Sequence, residues 1–378
     1  MKVTKRLIYL ALTLASVTLP TSIACACTSI RIKTTDGLVF YARTMEGELD
    51  FHSTVAIVPK GTEFQGTLPN GDQKGLAWKT RYGFVGMSTF GLPLLSDGMN
   101  EAGLAVGNLM FPDFAGYQSF DPKQADHTLA QYEVVTWILG NFATVDEVRE
   151  AIKGVRVCEG PEQQAIKLEL HFVVHDATGK CLVIEYVNGE LHVYDNPIGV
   201  MTNSPTFDWH LINLRNHINI SATNVKPLEI DGLKETGLGQ GSGMLGLPGD
   251  YTPPSRFVRM VALVTSAVPA TGPEAGLNQA MTIIDNADIV RGAIRDTRNG
   301  KTGYDITYWS VVSDLARKRY YFRTYDNKEW RYVDVAKALA DAKSIKSVKI
   351  DTTPNYREVS AAAEEFKFPM TSFPAGKP

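Results

Sequence analysis

Cysteine is scarce, four in 378 residues. No Cys-x-x-Cys pair and no His-Glu-x-x-His string occurs, so neither a zinc ribbon nor a zincin-type centre is written into the chain. Basic charge is not in excess: 38 Lys and Arg face 41 Asp and Glu, a formal net charge of −3. That balance excludes the electrostatic footprint of a nucleic-acid or anionic-membrane binder. Beyond the first 26 residues no apolar run reaches the ~20 residues that span a bilayer. Internal repeats are missing too, and no Pro/Gly/Ser linker is long enough to divide the chain into separate domains.

What is present begins with a leader. Lys2, Lys5 and Arg6 form a basic start, Leu7 to Leu19 is mostly apolar, and Ala24-Cys25-Ala26 fits the small-x-small site of signal peptidase. Cleavage after Ala26 leaves 352 residues and takes the formal charge from −3 to −6. The expected organisation is a signal peptide over 1–26, one domain over 27–350 and a C-terminal extension over 351–378. The expected destination is the periplasm of a Gram-negative cell. Ser22-Ile23-Ala24-Cys25 offers a second processing route, as a poor lipoprotein box.

Strand signals dominate the next stretch. "TSIRIKT" alternates, Asp36-Gly37 marks a hairpin, and "LVFYART" returns. "STVAIVPK", "YGFVGMST" and "GLAVGNLM" add strands. "HTLAQYEVVTWILGNF" has helical spacing, and Thr144 to Glu147 form a capping box for a second helix. "LELHFVVHD", "CLVIEYV" and "ELHVYD", joined by turn residues, predict a three-stranded meander. Helices are expected at "PTFDWHLINLRNH", "PSRFVRMVALVTSAV" and about 273–289, then a hairpin of "DITYWSVVSD" with "KRYYFRTYD". This order suggests an α+β fold with largely antiparallel sheets.

Several features carry less chemistry. Gly241-x-Gly243-x-x-Gly246 has the letters of a dinucleotide fingerprint but follows no strand, so a flexible loop over a site is the better reading. His171 and His175 fall about 13 Å apart on one strand face and read as structural. Cys158 and Cys181 could form a disulfide or remain buried thiols.

Cys27 is different. Cleavage before it creates a residue with both a thiol and a free α-amine of unperturbed pKa near 8. Such an amine can take the thiol's proton near neutral pH, so the residue carries its own base. Thiolate attack on a carbonyl, an acyl-enzyme and hydrolysis would follow, with no metal or other cofactor.

The chain resembles the choloylglycine hydrolase / penicillin V acylase family of N-terminal-nucleophile amidases. The strings that carry the resemblance are "CTSIRIKTTDGLVFYARTME", "SDGMNEAGLAVGNLMFP", "MTNSPTFDWHLINL", "GLPGDYTPPSRFVRM" and "TYWSVVSDLARKRYYFRTYDN", in family order. The resemblance implies a four-layer αββα sandwich with Cys27 as nucleophile. It places Arg43 beside the thiol, Glu46 where the family usually has an aspartate on the α-amine, Asn203 as an oxyanion donor and Arg256 as a second active-site arginine. At the position after "NEAGL" where Asn or Tyr is usual, this chain has Met110, with Asn108 two residues earlier.

The family's substrates are linear amides outside peptides: conjugated bile salts, penicillin V and, in some Gram-negative members, N-acyl homoserine lactones. Each joins an apolar acyl group to a small polar leaving group. Asn108, Met110, Phe111 and Met87 are therefore candidates for the substrate site, with Phe90, Phe114, Tyr117 and Phe120 as further walls of an acyl pocket. The implied partner is a small N-acyl amide, with neither nucleic acid nor a membrane span, and the family implies a homo-oligomer, a tetramer. The alternatives are an N-acyl homoserine lactone acylase of the same family, or a lipid-anchored, non-catalytic binding protein if Cys25 rather than Cys27 becomes the first residue.

Overall fold

The computed structural model describes residues 26–161, 168–298 and 300–364. Residues 1–25 of the expected leader, Cys25 included, and residues 365–378 of the expected extension lie outside them. The first hairpin joins β1 (Cys27–Lys33) to β2 (Val39–Gly47), and β3 (Thr54–Val58) leaves it for a second sheet. A small hairpin of β4 (Glu63–Gln65) and β5 (Ala77–Lys79) precedes the meander of β6 (Phe84–Thr89), β7 (Leu92–Asn100) and β8 (Ala105–Met110). Strand β9 (Thr128–Ala130) leads into α1 (Val134–Asn141) and α2 (Val145–Ala151), and β10 (Arg156–Cys158) returns parallel to β9. The Thr144/Glu147 capping box forms as the sequence predicts.

The second meander, β11 (Leu170–His175), β12 (Cys181–Val187) and β13 (Glu190–Asp195), joins β8 edge to edge. Its last turn is Asn188-Gly189, both at positive φ (52° and 81°), the conformation a two-residue hairpin requires. Helix α3 (Phe207–Asn213) follows. An exposed excursion carries β14 (Leu228–Ile230) and β15 (Leu233–Glu235), and α4 (Pro253–Ser266) and α5 (Pro273–Ile284) come next. Strands β16 (Ile294–Arg298), β17 (Lys301–Asp314), β18 (Arg319–Thr324) and β19 (Arg331–Asp334), helix α6 (Val335–Ala340) and β20 (Lys346–Lys349) complete the order.

Among the described residues the two large sheets are antiparallel. One runs β1-β2-β17-β18-β19 with β16 on β17, the other β13-β12-β11-β8-β7-β6-β3-β20. Helices α4 and α5 cover the first sheet at β1 and β2, and α1 and α2 cover the second at β7, β8 and β12. This is the αββα sandwich. It explains why the alternation in "TSIRIK" does not separate core from solvent, since Cys27 through Ile32 are all buried. A sheet roofed by helices and floored by another sheet has no wet face. Polar residues there must find partners, and Arg31 does so on the carbonyls of Gly179 and Pro197 at 2.8 and 2.5 Å.

The sheets meet closely at Gly107 on β8, where a Cβ would lie 2.3 Å from the Tyr41 hydroxyl oxygen. Only glycine leaves room there for the Tyr41 hydroxyl to reach Asp97 Oδ2 at 2.6 Å. Cys158 and Cys181 are both buried and unbridged, so they are thiols rather than a disulfide. Burial pushes the Cys181 thiol up to about 12, and its sulfur lies 3.7 Å from His175 Nε2. The segment around Gly241 to Gly246 opens a single turn of 3-10 helix at Ser242–Met244 rather than the helix of a βαβ unit. Among the described residues no helix is long and apolar enough to cross a membrane.

Candidate active site

Antiparallel pairing of β1 with β2 sets Cys27 opposite Met45. The Cys27 sulfur therefore lies 3.8 Å from Met45 Sδ, and Arg43, two residues back on the same face, brings Nη2 to 3.3 Å of it. Arg43 is fully buried. Its other N–H groups donate to the carbonyls of Ser96 (2.6 Å) and Thr44 (3.2 Å), and its guanidinium lies 5.2 Å from the centre of the Trp309 ring. Burial alone would ease the proton off this arginine, but Cys27, Tyr41, Asp97 and Glu46 together outweigh it, and the guanidinium is held charged. A fixed cation at this distance favours the thiolate over the thiol.

Asn203 reaches the other side of Cys27 from the loop between β13 and α3. Its Oδ1 accepts from Cys27 N at 2.7 Å and from Arg256 Nη2 at 2.7 Å, and its Nδ2 donates to the Met110 carbonyl at 2.8 Å. The orientation of this amide is fixed by its partners, because a guanidinium can only donate and a carbonyl can only accept. Arg256, in the first turn of α4, also binds the Cys27 carbonyl (2.5 Å) and the Thr28 hydroxyl (2.7 Å). One buried arginine thus ties the first two residues of β1 to Asn203.

Two buried carboxylates flank the group. Glu46 donates its backbone N–H to the Ala26 carbonyl at 3.0 Å, and its Oε1 accepts from the Thr307 hydroxyl at 3.2 Å. Burial, then the proximity of Cys27, raises its pKa well above the usual carboxylate range, against the pull of Arg256 and Arg43. Asp97 accepts from two tyrosines, Tyr41 at 2.6 Å and Tyr320 at 2.7 Å. Burial lifts Asp97 to about 6, with Arg43 and both hydroxyls opposing.

The structure brings Cys27, Arg43, Asn203 and Arg256 into one hydrogen-bonded cluster and sets Glu46 beside it. Met110 joins through its backbone carbonyl alone. Asn108, two residues earlier on β8, turns Nδ2 toward the Leu95 carbonyl at 3.4 Å. Met87 is buried on β6 in the hydrophobic core, and Phe111 is buried and stacks on His171 and on the exposed Phe114, ring centres 4.4 and 5.8 Å away. Tyr117 is tied to Leu168 and Leu170, whereas Phe90, Phe114 and Phe120 are exposed. Sequence reasoning does not single out Met45, Trp309 or Thr28. Hairpin register is the signal that could find Met45, and only the pairing of β17 with β2 reveals Trp309.

A family model described as linear amide C–N hydrolases, choloylglycine hydrolase family, matches residues 27–348. A bile salt hydrolase/transferase of Clostridium perfringens is 34% identical over 88% of this chain and 100% of its own length. A penicillin V acylase of Pectobacterium atrosepticum is 27% identical over 91% and 90%. Among solved structures, a variant of the conjugated bile acid hydrolase of Clostridium perfringens superposes with a TM-score of 0.78 at 32% identity, covering 88% of this chain and 100% of its own. Penicillin V acylase from Agrobacterium tumefaciens gives 0.70 at 25% identity, covering 85% and 91%.

Proposed function

The chain belongs to the choloylglycine hydrolase family of linear amide C–N hydrolases, and from that premise we propose how its residues divide the work. It is an amidase. Cys27 is the nucleophile, and removal of residues 1–26 turns its peptide nitrogen into the general base. The observation that carries this reading is the pair of contacts on Cys27, Arg43 Nη2 at 3.3 Å from the sulfur and Asn203 Oδ1 at 2.7 Å from the nitrogen. An acceptor on the α-amine engages an N–H and leaves the lone pair for the thiol proton. Arg43 holds the resulting thiolate.

The thiolate attacks the amide carbonyl, the α-ammonium returns its proton to the leaving amine, and water then hydrolyses the thioester with the amine again as base. Glu46, across the hairpin from Ala26, is held toward its protonated form by burial and by Cys27, and the ammonium formed in each half-reaction draws out the carboxylate that steadies it. The Met110 side chain cannot donate, so backbone N–H groups and the second Nδ2–H of Asn203 stabilise the oxyanion. Loss of one such donor would cost roughly 3 kcal/mol of barrier lowering.

The substrate class is an N-acyl amide with a large apolar acyl group, glycine- or taurine-conjugated bile salts first. In support, identity to the bile salt hydrolase of Clostridium perfringens is 34% over its full length, against 27% for the penicillin V acylase. Penicillin V is the second reading, on the likeness to that acylase. Hydrolysis of glycocholate, taurocholate, penicillin V and a long-chain N-acyl homoserine lactone by one preparation tests this. Highest kcat/KM on a bile salt supports the first reading; penicillin V or the lactone in front overturns it. Export with cleavage between Ala26 and Cys27 belongs to the same proposal. N-terminal sequencing that finds Cys27 first supports it, and a lipidated Cys25 refutes it. The fold also exposes Leu228, Ile230, Leu233, Leu238 and Leu245 between α3 and α4, which supports a homo-oligomer sealed by that excursion.

A further inference from the structure

Asn203 sits on a loop that is buried, and a buried loop must find donors for carbonyls that no strand partner serves. Met201, Thr202 and Asn203 are all within 1% of full burial. Met201 is satisfied by an isolated bridge to Ser29 of β1. The next two carbonyls are each met by an imidazole. His171 Nε2 lies 2.9 Å from the Thr202 oxygen, and His210 Nε2 lies 2.9 Å from the Asn203 oxygen. A carbonyl can only accept, so both Nε2 atoms carry hydrogen.

The two imidazoles are themselves fixed. His171 Nδ1 stands 3.1 Å from Glu185 Oε1 with neither side chain exposed, and Glu185 also accepts from the Phe207 N–H at the start of α3. His171 is clamped in addition by its stack on Phe111. His210 stacks on Phe257, ring centres 4.6 Å apart, and Phe257 is the α4 neighbour of Arg256. Burial, against the hydrogen bond to Asn203, brings His210 down to about 4, with His171 and Arg256 pushing the same way, so the ring is neutral at working pH.

We propose that His210 and the His171–Glu185 pair are positioning residues of the amidase. By holding two successive carbonyls they fix the backbone from which the Asn203 side chain reaches the Cys27 nitrogen. This rests on the reading of that nitrogen as the base. Its physical content is reach. The Asn203 amide has one short side chain with which to meet Cys27 N, Arg256 and the Met110 carbonyl together. A shift of its backbone by about an ångström breaks the set, and a misplacement of that size can cost about a hundredfold.

The experiment uses the mature full-length protein and its His210→Phe, His210→Gln and Glu185→Gln variants. Phenylalanine keeps the stack on Phe257 and removes the donor, whereas glutamine restores a donor. The first readout is the pH dependence of Cys27 alkylation by iodoacetamide, which needs no substrate and reports the sulfur as Arg43, Glu46, Arg256 and the α-amine set it. The second is kcat and KM on glycocholate. His210→Phe is expected to shift the alkylation profile and to lower kcat about tenfold or more with KM within about twofold, and His210→Gln to recover most of both. Glu185→Gln is expected to shift the profile in the same direction as His210→Phe. An unmoved alkylation profile in folded His210→Phe, or a loss that glutamine does not restore, overturns the proposal. If His210→Phe lacks a cooperative melt, Glu185→Gln decides by the same two readouts. Cys27→Ala separates the premise: should glycocholate turnover survive it, the nucleophile assignment has failed, whatever the histidines do.

Discussion

Arg43 and Arg256 are entirely enclosed by protein, while Leu238 and Leu245 are almost entirely in solvent. Around Cys27 the chain buries charge; between α3 and α4 it exposes apolar side chains. The two regions solve opposite problems. A buried guanidinium survives only where every direction offers an acceptor or a polarisable face, and Arg43 has two carbonyls, two sulfurs and an indole ring around it. The exposed excursion has few such constraints. Its order comes from Asn224, whose Oδ1 accepts from the Gly241 and Ser242 N–H groups, and from a three-residue hairpin ladder. In the first region substitution should act on chemistry, in the second on association.

The sharpest break in that contrast is Cys27→Ala. It should lower turnover by more than about a thousandfold with the fold intact, read by circular dichroism beside single-turnover assays. Residual activity above a few per cent would remove Cys27 from the mechanism. Arg43→Leu comes next. It takes the fixed charge from the sulfur, so kcat/KM should fall roughly a hundredfold and iodoacetamide alkylation should require higher pH. An unchanged alkylation profile would make Arg43 a packing residue. Glu46→Gln keeps the size and removes the carboxylate, and kcat should drop about tenfold with KM little changed. Movement in KM alone would make Glu46 a substrate contact.

Acid stability reads the same buried region without substrate. His210 is depressed to about 4 from an ordinary 6.5. Its contribution to stability is therefore present above pH 6.5 and lost as pH falls through 4, a limb of at most about 3 kcal/mol. Denaturant melts should show that limb in the parent and a flatter one in His210→Phe; parallel curves would contradict it. The smallest effect belongs to the excursion. Leu228→Ser with Leu233→Ser should change stability of the protomer by about 0.5 kcal/mol or less, since both side chains are already more than half exposed. Light scattering should find a lower mass than the parent's. An unchanged mass would mean that these leucines do not seal an oligomer.

Local signals were legible where a single segment decides the outcome. The hairpin at Asn188-Gly189, the Thr144/Glu147 box and the second meander all follow from turn, cap and β-branched chemistry. Strand β7, with its register shifts against β6, and β20 at the sheet edge carry no such local pattern, and no strand was expected at either. Met87 and Phe111 show the limit for the site. An apolar residue near a motif reads alike whether it lines a cleft or fills a core, and both are fully buried. His171 read as structural because spacing says nothing of what faces an imidazole. Its partners, Glu185 and the Thr202 carbonyl, come from 14 and 31 residues away.

The amino-acid sequence by itself determined the chemical inventory and its order: a cysteine placed after a leader-like run, Arg43 and Glu46 on the returning strand, Asn203 and Arg256 in their strings. It also determined the β1–β2 hairpin, which alone puts Met45 opposite Cys27 and Arg43 beside it. Only the tertiary structure decided what each group does. Asn203 is 176 residues from Cys27 and Arg256 is 229, and nothing local specifies that both converge on one strand end. Long-range convergence is decided by how two sheets and their helices close over a common core, where each buried polar atom must find its partner.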